Sequence, residues 1–195
     1  MTRLLLSILL FALAGCSTRY EQLRDYAGPD SGTVLVSVGM TNENTMHYAS
    51  LTVRQKGSQN LVDLKFSPRA AAYFGGTSID FRDANGSYSL LQLKLPPGEY
   101  EIFEYGSGAN LGTSMVWVGA PAGLAIPFSV KRGEVTYLGQ YRVGLNVLGG
   151  KPVSSFLEIS SERQRDTGKL QPATKLNDAA DAILQGNPNA MKRVN

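Results

Sequence analysis

The sequence predicts an all-β protein, an antiparallel β-sandwich followed by a short C-terminal helix. Glycine accounts for 21 of 195 residues and charged residues for only 18%, a balance that favours strands joined by tight turns. Apolar and polar residues alternate in one segment after another, as expected for strands with one buried face. Turn signals separate these segments, and their spacing predicts about nine or ten short strands.

The first segment, residues 1–15, has the layout of a secretory signal peptide. One positive charge, Arg3, precedes an apolar run that starts at Leu4 and ends just before Cys16. This run is too short to span a bilayer, which takes about 20 apolar residues. Cys16 is the only cysteine in the chain. A secreted chain with one unpaired thiol would carry a reactive group, so we expect Cys16 to be modified.

Leu13-Ala14-Gly15-Cys16 resembles the lipobox of bacterial lipoproteins. The resemblance implies cleavage before Cys16 and acylation of that residue, which would attach the protein to a membrane. Because one acyl chain holds a protein only marginally, the several chains that this family carries are what make the anchor stable. Ser17 is not acidic, which in Gram-negative relatives implies an outer-membrane lipoprotein that faces the periplasm. The alternatives are an ordinary signal peptide with an incidental cysteine, or a buried N-terminal helix.

The sequence after the signal divides into a tether and a domain. Residues 16–32 start polar and end in Gly28-Pro29-Asp30-Ser31-Gly32, which predicts a lipidated N-terminus and tether before a β-sandwich domain at residues 33–160. In the second strand, Ser50, Thr52 and Arg54 take the water-facing side. The apolar phases of the first three strands are Val34, Val36 and Val38; Ala49, Leu51 and Val53; and Val62, Leu64 and Phe66.

Turn residues delimit the middle strands. Asn85-Gly86 lies between two alternating runs and predicts a hairpin with a type I′ turn, because both residues tolerate positive φ. Pro96-Pro97-Gly98 ends the next strand, since proline donates no ladder hydrogen bond. The glycine-rich residues 106–112 predict a flexible loop.

The second half of the domain contains the longest alternating run, which predicts a half-buried strand over residues 135–147. A last strand at residues 153–159 follows the Gly149-Gly150 turn. The apolar phase of the long run consists of Val135, Tyr137, Tyr141, Val143, Leu145 and Val147.

Two stretches carry a resemblance to a known fold. Residues 93–103, LKLPPGEYEIF, resemble the strand–turn–strand of transthyretin-like, carboxypeptidase-regulatory-type β-sandwich domains. Residues 127–139 resemble the following segment in bacterial envelope lipoproteins of that architecture. The resemblance implies inward aromatic side chains at Tyr100 and Tyr137. It implies no particular activity, because one fold serves many functions.

The C-terminal extension, residues 161–195, is polar and contains one helical pattern. Leu176, Ala179, Ala180, Ile183 and Leu184 recur at helical spacing, and Thr174 is a candidate N-cap. The pattern predicts an amphipathic helix of about ten residues. It would act either as a lid on the sandwich or as a partner-binding segment, because so short a helix is rarely stable unless its apolar side is covered.

The residues needed for common catalytic or cofactor sites are scarce. The chain has one histidine, His47, and with Cys16 acylated we expect no metal site, no cofactor and no Cys-His nucleophile. Glu99 and Glu101 alternate on one strand, but nothing predicts the cleft that a carboxylate-based hydrolase needs. An enzyme is therefore the least favoured function. The formal charge of +3 is small and scattered, so we expect no nucleic-acid partner.

Aromatic residues are the remaining candidates for a ligand or partner surface: Tyr73, Phe74, Phe103, Tyr105 and Trp117. Core or edge packing is the alternative role for each of them. The sequence therefore predicts a lipid-anchored, non-catalytic module that binds or scaffolds another envelope protein. A module that binds a cell-wall glycan, such as peptidoglycan, or a peptide is the alternative.

Overall fold

The structure is a computed structural model that describes residues 26–41, 47–58, 60–67, 78–110, 115–119, 124–168, 170 and 174–186. These residues form two β-sheets with apolar side chains packed between them, together with short helices near the C-terminus. The predicted all-β sandwich with a short C-terminal helix is confirmed.

The larger sheet has six strands and the smaller has five. The six-stranded sheet contains β1 (Gly32–Thr41), β4 (Phe81–Arg82), β5 (Gly86–Leu95), β9 (Val135–Leu148), β10 (Lys151–Ser160) and β11 (Leu176–Asp178). The five-stranded sheet contains β2 (His47–Gln55), β3 (Leu61–Phe66), β6 (Gly98–Asn110), β7 (Met115–Gly119) and β8 (Ile126–Val130).

The strand order is β10-β9-β1-β5-β4 in the larger sheet, with β11 also paired to β9. It is β3-β2-β6-β7 in the smaller sheet, with β8 also paired to β6. Most neighbours are antiparallel, but β1 and β11 both run parallel to β9. Strand direction depends on which distant segments pair, so side-chain alternation within each segment does not reveal it.

The main core lies between the sheets, and the predicted apolar phases of β1, β2 and β3 all enter it. Val36, Leu51 and Phe66 have no exposed surface. Burying an aliphatic or aromatic side chain of this size contributes about 1.5–3 kcal/mol. The second half of the chain adds Ile126, Phe128, Val130, Tyr141, Val143 and Ile159 to the same cluster.

The β5–β6 corner explains the segment that resembles transthyretin-like domains. The Tyr100 hydroxyl donates a hydrogen bond to the Pro96 carbonyl at 2.8 Å, where proline breaks the ladder. The Tyr100 ring also stacks on Phe128, with centroids 5.6 Å apart. Burial raises the pKa of Tyr100 to about 12. The tyrosine therefore ties the corner to the core, which is a structural role.

The strand predicted at residues 135–147 is confirmed as β9, but the prediction that it is half-buried is wrong, because β9 is buried on both faces from Val135 to Leu145. Leu35 pairs with Tyr137 but Ser37 pairs with Gln140, so β9 carries one extra residue against β1. Such a bulge reverses which face the following side chains take. Tyr137 therefore lies on the outer face of the sheet, contrary to its predicted inward position. Tyr141 and Val143 point into the main core.

The β4–β5 hairpin predicted from Asn85-Gly86 is confirmed, but its type I′ turn is wrong. Neither residue has positive φ. Instead, the Asp83 carboxylate accepts hydrogen bonds from the backbone amides of Asn85, at 2.7 Å, and Gly86, at 2.8 Å. Positive φ occurs at Gly149 and Gly150, with values of 57° and 76°, between β9 and β10. This glycine pair forms the hairpin turn because it adopts such angles without strain.

The C-terminal extension packs on the six-stranded sheet. It contains α1 (Arg163–Thr167), β11 and α2 (Ala180–Gly186). The predicted helix is wrong at its start, because residues 176–178 extend the sheet instead. The open edge of β9 offers backbone hydrogen bonds there, and this tertiary contact overrides helical periodicity. Ala180 and Ile183 of α2 are buried, which favours the lid role over the partner-binding role.

Asp166 on α1 fixes this extension to the sheet. Its side chain is buried and accepts hydrogen bonds from the Ser37 and Tyr137 hydroxyls, both at 2.9 Å. The Arg165 guanidinium binds the other carboxylate oxygen at 2.7 Å and also donates to Gln140 at 2.8 Å. Burial and the neighbouring Asp166 raise the pKa of Tyr137. The carboxylate is therefore fully partnered, as a buried charge requires.

Candidate functional site

A shallow groove crosses the face of the five-stranded sheet that points away from the core. We call it the outer groove, and its volume is about 340 Å³, within the range of small-ligand sites. Its floor and walls come from β2, β3, β6 and β7. It is lined by Tyr48, Ser50, Thr52, Leu61, Asp63, Lys65, Glu104 and Trp117.

An aromatic pair forms one end of the outer groove. Tyr48 on β2, Gly108 on β6 and Trp117 on β7 form one row across three neighbouring strands. The Tyr48 ring lies over Gly108 and contacts the Trp117 ring, with centroids 5.6 Å apart and planes 26° apart. This is an offset-stacked geometry. Trp117 remains 45% exposed, so a large aromatic surface is available to a ligand.

Glycine in β6 makes this arrangement possible. A Cβ on Gly108 would overlap the Tyr48 ring, and a Cβ on Gly106 would overlap the Trp117 ring. Both rings therefore occupy space that side chains on the central strand would fill. Glycine within a strand often marks such a close approach. The predicted loop at residues 106–112 is wrong for residues 106–110, which are part of β6.

The wall opposite the aromatic pair is polar and organised by Asp63. One oxygen of its carboxylate accepts hydrogen bonds from the Ser50 hydroxyl, at 3.0 Å, and the Thr52 hydroxyl, at 2.8 Å. The Lys65 ammonium lies 3.3 Å from the other oxygen. Because both hydroxyl hydrogens point at Asp63, the two hydroxyl oxygens are left as acceptors. Glu104 adds a further carboxylate to the lining.

Arg54 closes the same sheet face beyond the polar wall. Its Nε donates to Glu101 at 2.7 Å, and its guanidinium lies 3.8 Å from the centroid of the Phe103 ring. Glu101 is almost fully buried. Phe103 is therefore already covered by a cation of the chain itself, in a cation–π contact.

The predicted aromatic residues do not form one surface. Trp117 lies in the outer groove and Phe103 lies under Arg54. Tyr105 is directed inward and packs against the main core, because a bulge between Thr52 and Val53 shifts the β2–β6 register. Burial raises the pKa of Tyr105. Tyr73, Phe74 and the predicted lipidation site Cys16 lie outside the described residues.

The two acidic residues considered for a hydrolase, Glu99 and Glu101, have different surroundings. Glu101 is paired with Arg54. Glu99 is exposed on β6. Neither carboxylate lines the outer groove. His47 lies in β2, where its backbone pairs with Ala109.

Metal ligands and membrane-spanning helices can be assessed only in the part of the chain that the structure describes. In that part, no three histidine, cysteine or acidic side chains are close enough together to hold a metal ion. No helix in the same residues is long and apolar enough to cross a membrane.

Sequence reasoning missed most of the outer groove. It assigned Ser50 and Thr52 to the water-facing side of their strand; both lie on the face away from the core, but Ser50 is buried there. It did not single out Tyr48, Asp63 or Glu104. Nothing local marks these residues as a set, because their proximity depends on the pairing of β2, β3 and β6. Glycines at alternate positions of an aromatic-flanked strand were the available signal.

Comparison with known proteins adds little. The chain matches no protein-family model and no curated protein. Among solved structures it is similar to part of a leucine-rich repeat protein from Bacteroides thetaiotaomicron, with 16% identity and a TM-score of 0.36 over 59% of this chain. The match covers only 14% of that protein. A likeness this low supports no inference about function.

Proposed function

We propose that this protein is a non-catalytic binding module of the cell envelope that recognises another envelope component through the outer groove. The observation that carries the proposal is the stacked Tyr48–Trp117 pair, exposed beside a polar wall. Most single exposed apolar residues have no functional meaning. Here two aromatic rings share one groove with hydroxyl and charged groups, which is the composition of a recognition site.

The proposal includes a lipid anchor at Cys16 in the outer membrane, with the domain in the periplasm. Its support is the sequence Leu13-Ala14-Gly15-Cys16 and the single use of cysteine. Growth of the host with labelled palmitate tests the anchor. We expect label on the wild-type protein and none on Cys16→Ser. Absence of label on the wild type, or label that survives the substitution, would exclude acylation at Cys16.

Site-specific photo-crosslinking in cells tests binding through the outer groove. A photoreactive amino acid is placed at Lys65 on the polar wall or, as a control, at Leu148 in the β9–β10 hairpin. Leu148 is 74% exposed and belongs to the other sheet. A photoreactive group at position 148 is therefore also accessible to partners, but it lies outside the outer groove. We expect a discrete product from position 65 and none from position 148. Equal yields, or a product from position 148 alone, would count against the outer groove.

A cell-wall glycan is the second candidate for the component bound, in place of an envelope protein. The aromatic pair favours it, because flat rings beside polar groups suit a ligand with one apolar face and hydroxyl groups around its edge. A protein partner instead usually buries its main anchors in an apolar, desolvated pocket. Co-sedimentation with purified peptidoglycan separates the two, since only a wall-binding module would sediment.

A further inference from the structure

We propose that the outer groove binds a neutral saccharide, with at least one sugar ring stacked on Trp117 and Tyr48. This inference rests on the proposed function and specifies the chemistry of its ligand. Its support is the aromatic pair, the hydrogen-bonding state of the polar wall, the charge of the groove and the pairing of the strands beneath it.

The aromatic pair offers an extended stacking surface rather than a pocket. The Tyr48 and Trp117 centroids lie 5.6 Å apart, and Trp117 is 45% exposed. Contacts from aliphatic C–H groups to an aromatic face are weak individually but add over a flat surface. A sugar ring presents such C–H groups on one face. The glycines at 106 and 108 keep both rings close to the sheet, so the surface is held in place before the ligand arrives.

The polar wall complements hydroxyl donors. Asp63 takes the hydrogens of Ser50 and Thr52. Because Ser50 is buried, Thr52 is the residue whose hydroxyl oxygen can accept from a ligand. The carboxylate of Glu104 also accepts, whereas the Lys65 ammonium donates. Sugar hydroxyl groups donate and accept along the ring edge, so they can satisfy this mixed wall. A purely apolar ligand would leave these polar groups desolvated without partners, which is unfavourable.

The charges of the groove disfavour an anionic ligand. Two carboxylates, Asp63 and Glu104, face one ammonium, Lys65, and Lys65 is already close to Asp63. A uronic acid or phosphate placed here would meet uncompensated negative charge. Like charges brought together in a partly desolvated site are mutually destabilising. The ligand is therefore neutral.

The strand pairing excludes one common mode of peptide recognition at this place. A peptide that adds to a sheet needs a strand with an unpaired edge. The centre of the groove lies over β2 and β6, and each of these strands is paired on both sides, β2 with β3 and β6, and β6 with β2 and β7. Recognition at the centre of the groove must therefore use side chains, which is how a sugar would be held.

The single tryptophan provides a direct assay. Trp117 is the only tryptophan in the chain, so its fluorescence, selectively excited, reports on the groove alone. The full-length protein is titrated in detergent with chitotetraose, cellotetraose and, as an anionic comparison, tetragalacturonate. We expect a saturable change with at least one neutral oligosaccharide and none with tetragalacturonate. Tyr48→Ala should weaken binding roughly 2- to 12-fold, the effect expected for loss of one aromatic contact.

A second variant keeps the inference testable if the Tyr48→Ala protein does not fold. Thr52→Val keeps the β-branched shape but removes a hydroxyl acceptor, so affinity should fall roughly 2- to 12-fold, as for one hydrogen bond. Leu148→Ser, on the other sheet, should leave binding unchanged. No saturable change with any neutral sugar, or equal binding of tetragalacturonate, would overturn the saccharide inference. If the sugars fail to bind but position 65 crosslinks to a protein, the proposed function stands without the saccharide inference. If neither the sugar titration nor the crosslinking gives binding, the proposed function and the saccharide inference are both rejected.

Discussion

Replacement of Asp166 with alanine tests whether the C-terminal extension is an integral part of the fold. The change removes a buried carboxylate that accepts hydrogen bonds from Ser37, Tyr137 and Arg165. Ser37 and Tyr137 would then lose their acceptor, and Arg165 would keep only the neutral acceptors Ser37 and Gln140. Removing one member of a buried, hydrogen-bonded ion pair costs about 3–5 kcal/mol. For a chain of this length, the melting temperature should fall by about 6–20 °C.

The assay is urea unfolding of the full-length protein, followed by circular dichroism, with Asp181→Ala as the matched control. Asp181 is an exposed acid in the first turn of α2, so its loss should cost less than about 1 kcal/mol. Combining Asp166→Ala with Tyr137→Phe should show a coupling of about 0.5–3 kcal/mol, since the two side chains are in direct contact. A loss below about 1 kcal/mol for Asp166→Ala would refute the account of a buried network.

Three further predictions concern the same fold. In urea unfolding, Gly139→Ala should lower the stability of the protein by about 1–3 kcal/mol more than Gly133→Ala. Both glycines have positive φ, but only at Gly139 would a Cβ meet backbone, namely the Ser160 carbonyl oxygen at 2.8 Å. Equal losses of stability in the two variants would contradict this overlap. Deletion of residues 175–195 should lower the melting temperature because it removes buried side chains such as Ile183, and an unchanged midpoint would contradict the lid role. Burial raises the pKa of Tyr100 from 10.0 to about 12, so folding favours the neutral phenol; this stabilisation is complete below pH 10 and is lost as the pH rises towards 12. Urea midpoints that stay constant across that alkaline range would contradict the assignment.

The sandwich could be predicted because its strands have one wet and one buried face. Val34, Leu51 and Leu64 each sit in an alternating run, and all three are core residues. Proline and glycine marked the turns for a similarly local reason, because the backbone angles that each of them favours act within a few residues. These signals need no knowledge of which strands pair.

The errors arose where distant segments decide the outcome. The face taken by Tyr137 depends on the bulge at Gly139, and the burial of β9 on both faces depends on a C-terminal extension that covers it. Residues 176–178 became a strand because β9 had an open edge there. Asp166 gave no sign of burial, because an acidic residue in a polar stretch is normally exposed.

The outer groove also combines features that the sequence shows locally with features that only the strand pairing creates. Trp117 was a candidate from its residue type alone. Its partner Tyr48 is far away in sequence, and only the register that places both beside Gly108 brings the rings together. The acceptor state of the polar wall likewise depends on Asp63 lying opposite Thr52. A recognition site built across strands is encoded in pairing, so a single sequence reveals its parts but not their assembly.

Fluorine NMR of the protein labelled with fluorotryptophan tests the central claim most directly. With one tryptophan in the chain, the spectrum contains one signal for the folded protein, and that signal reports on the aromatic end of the outer groove. Unlabelled envelope extract is added to the wild type and to Gly106→Ala, in which the Trp117 ring must move. We predict a saturable shift or broadening with the wild type and a weaker one with the variant. A wild-type signal that does not change at any amount of extract would contradict recognition through this groove.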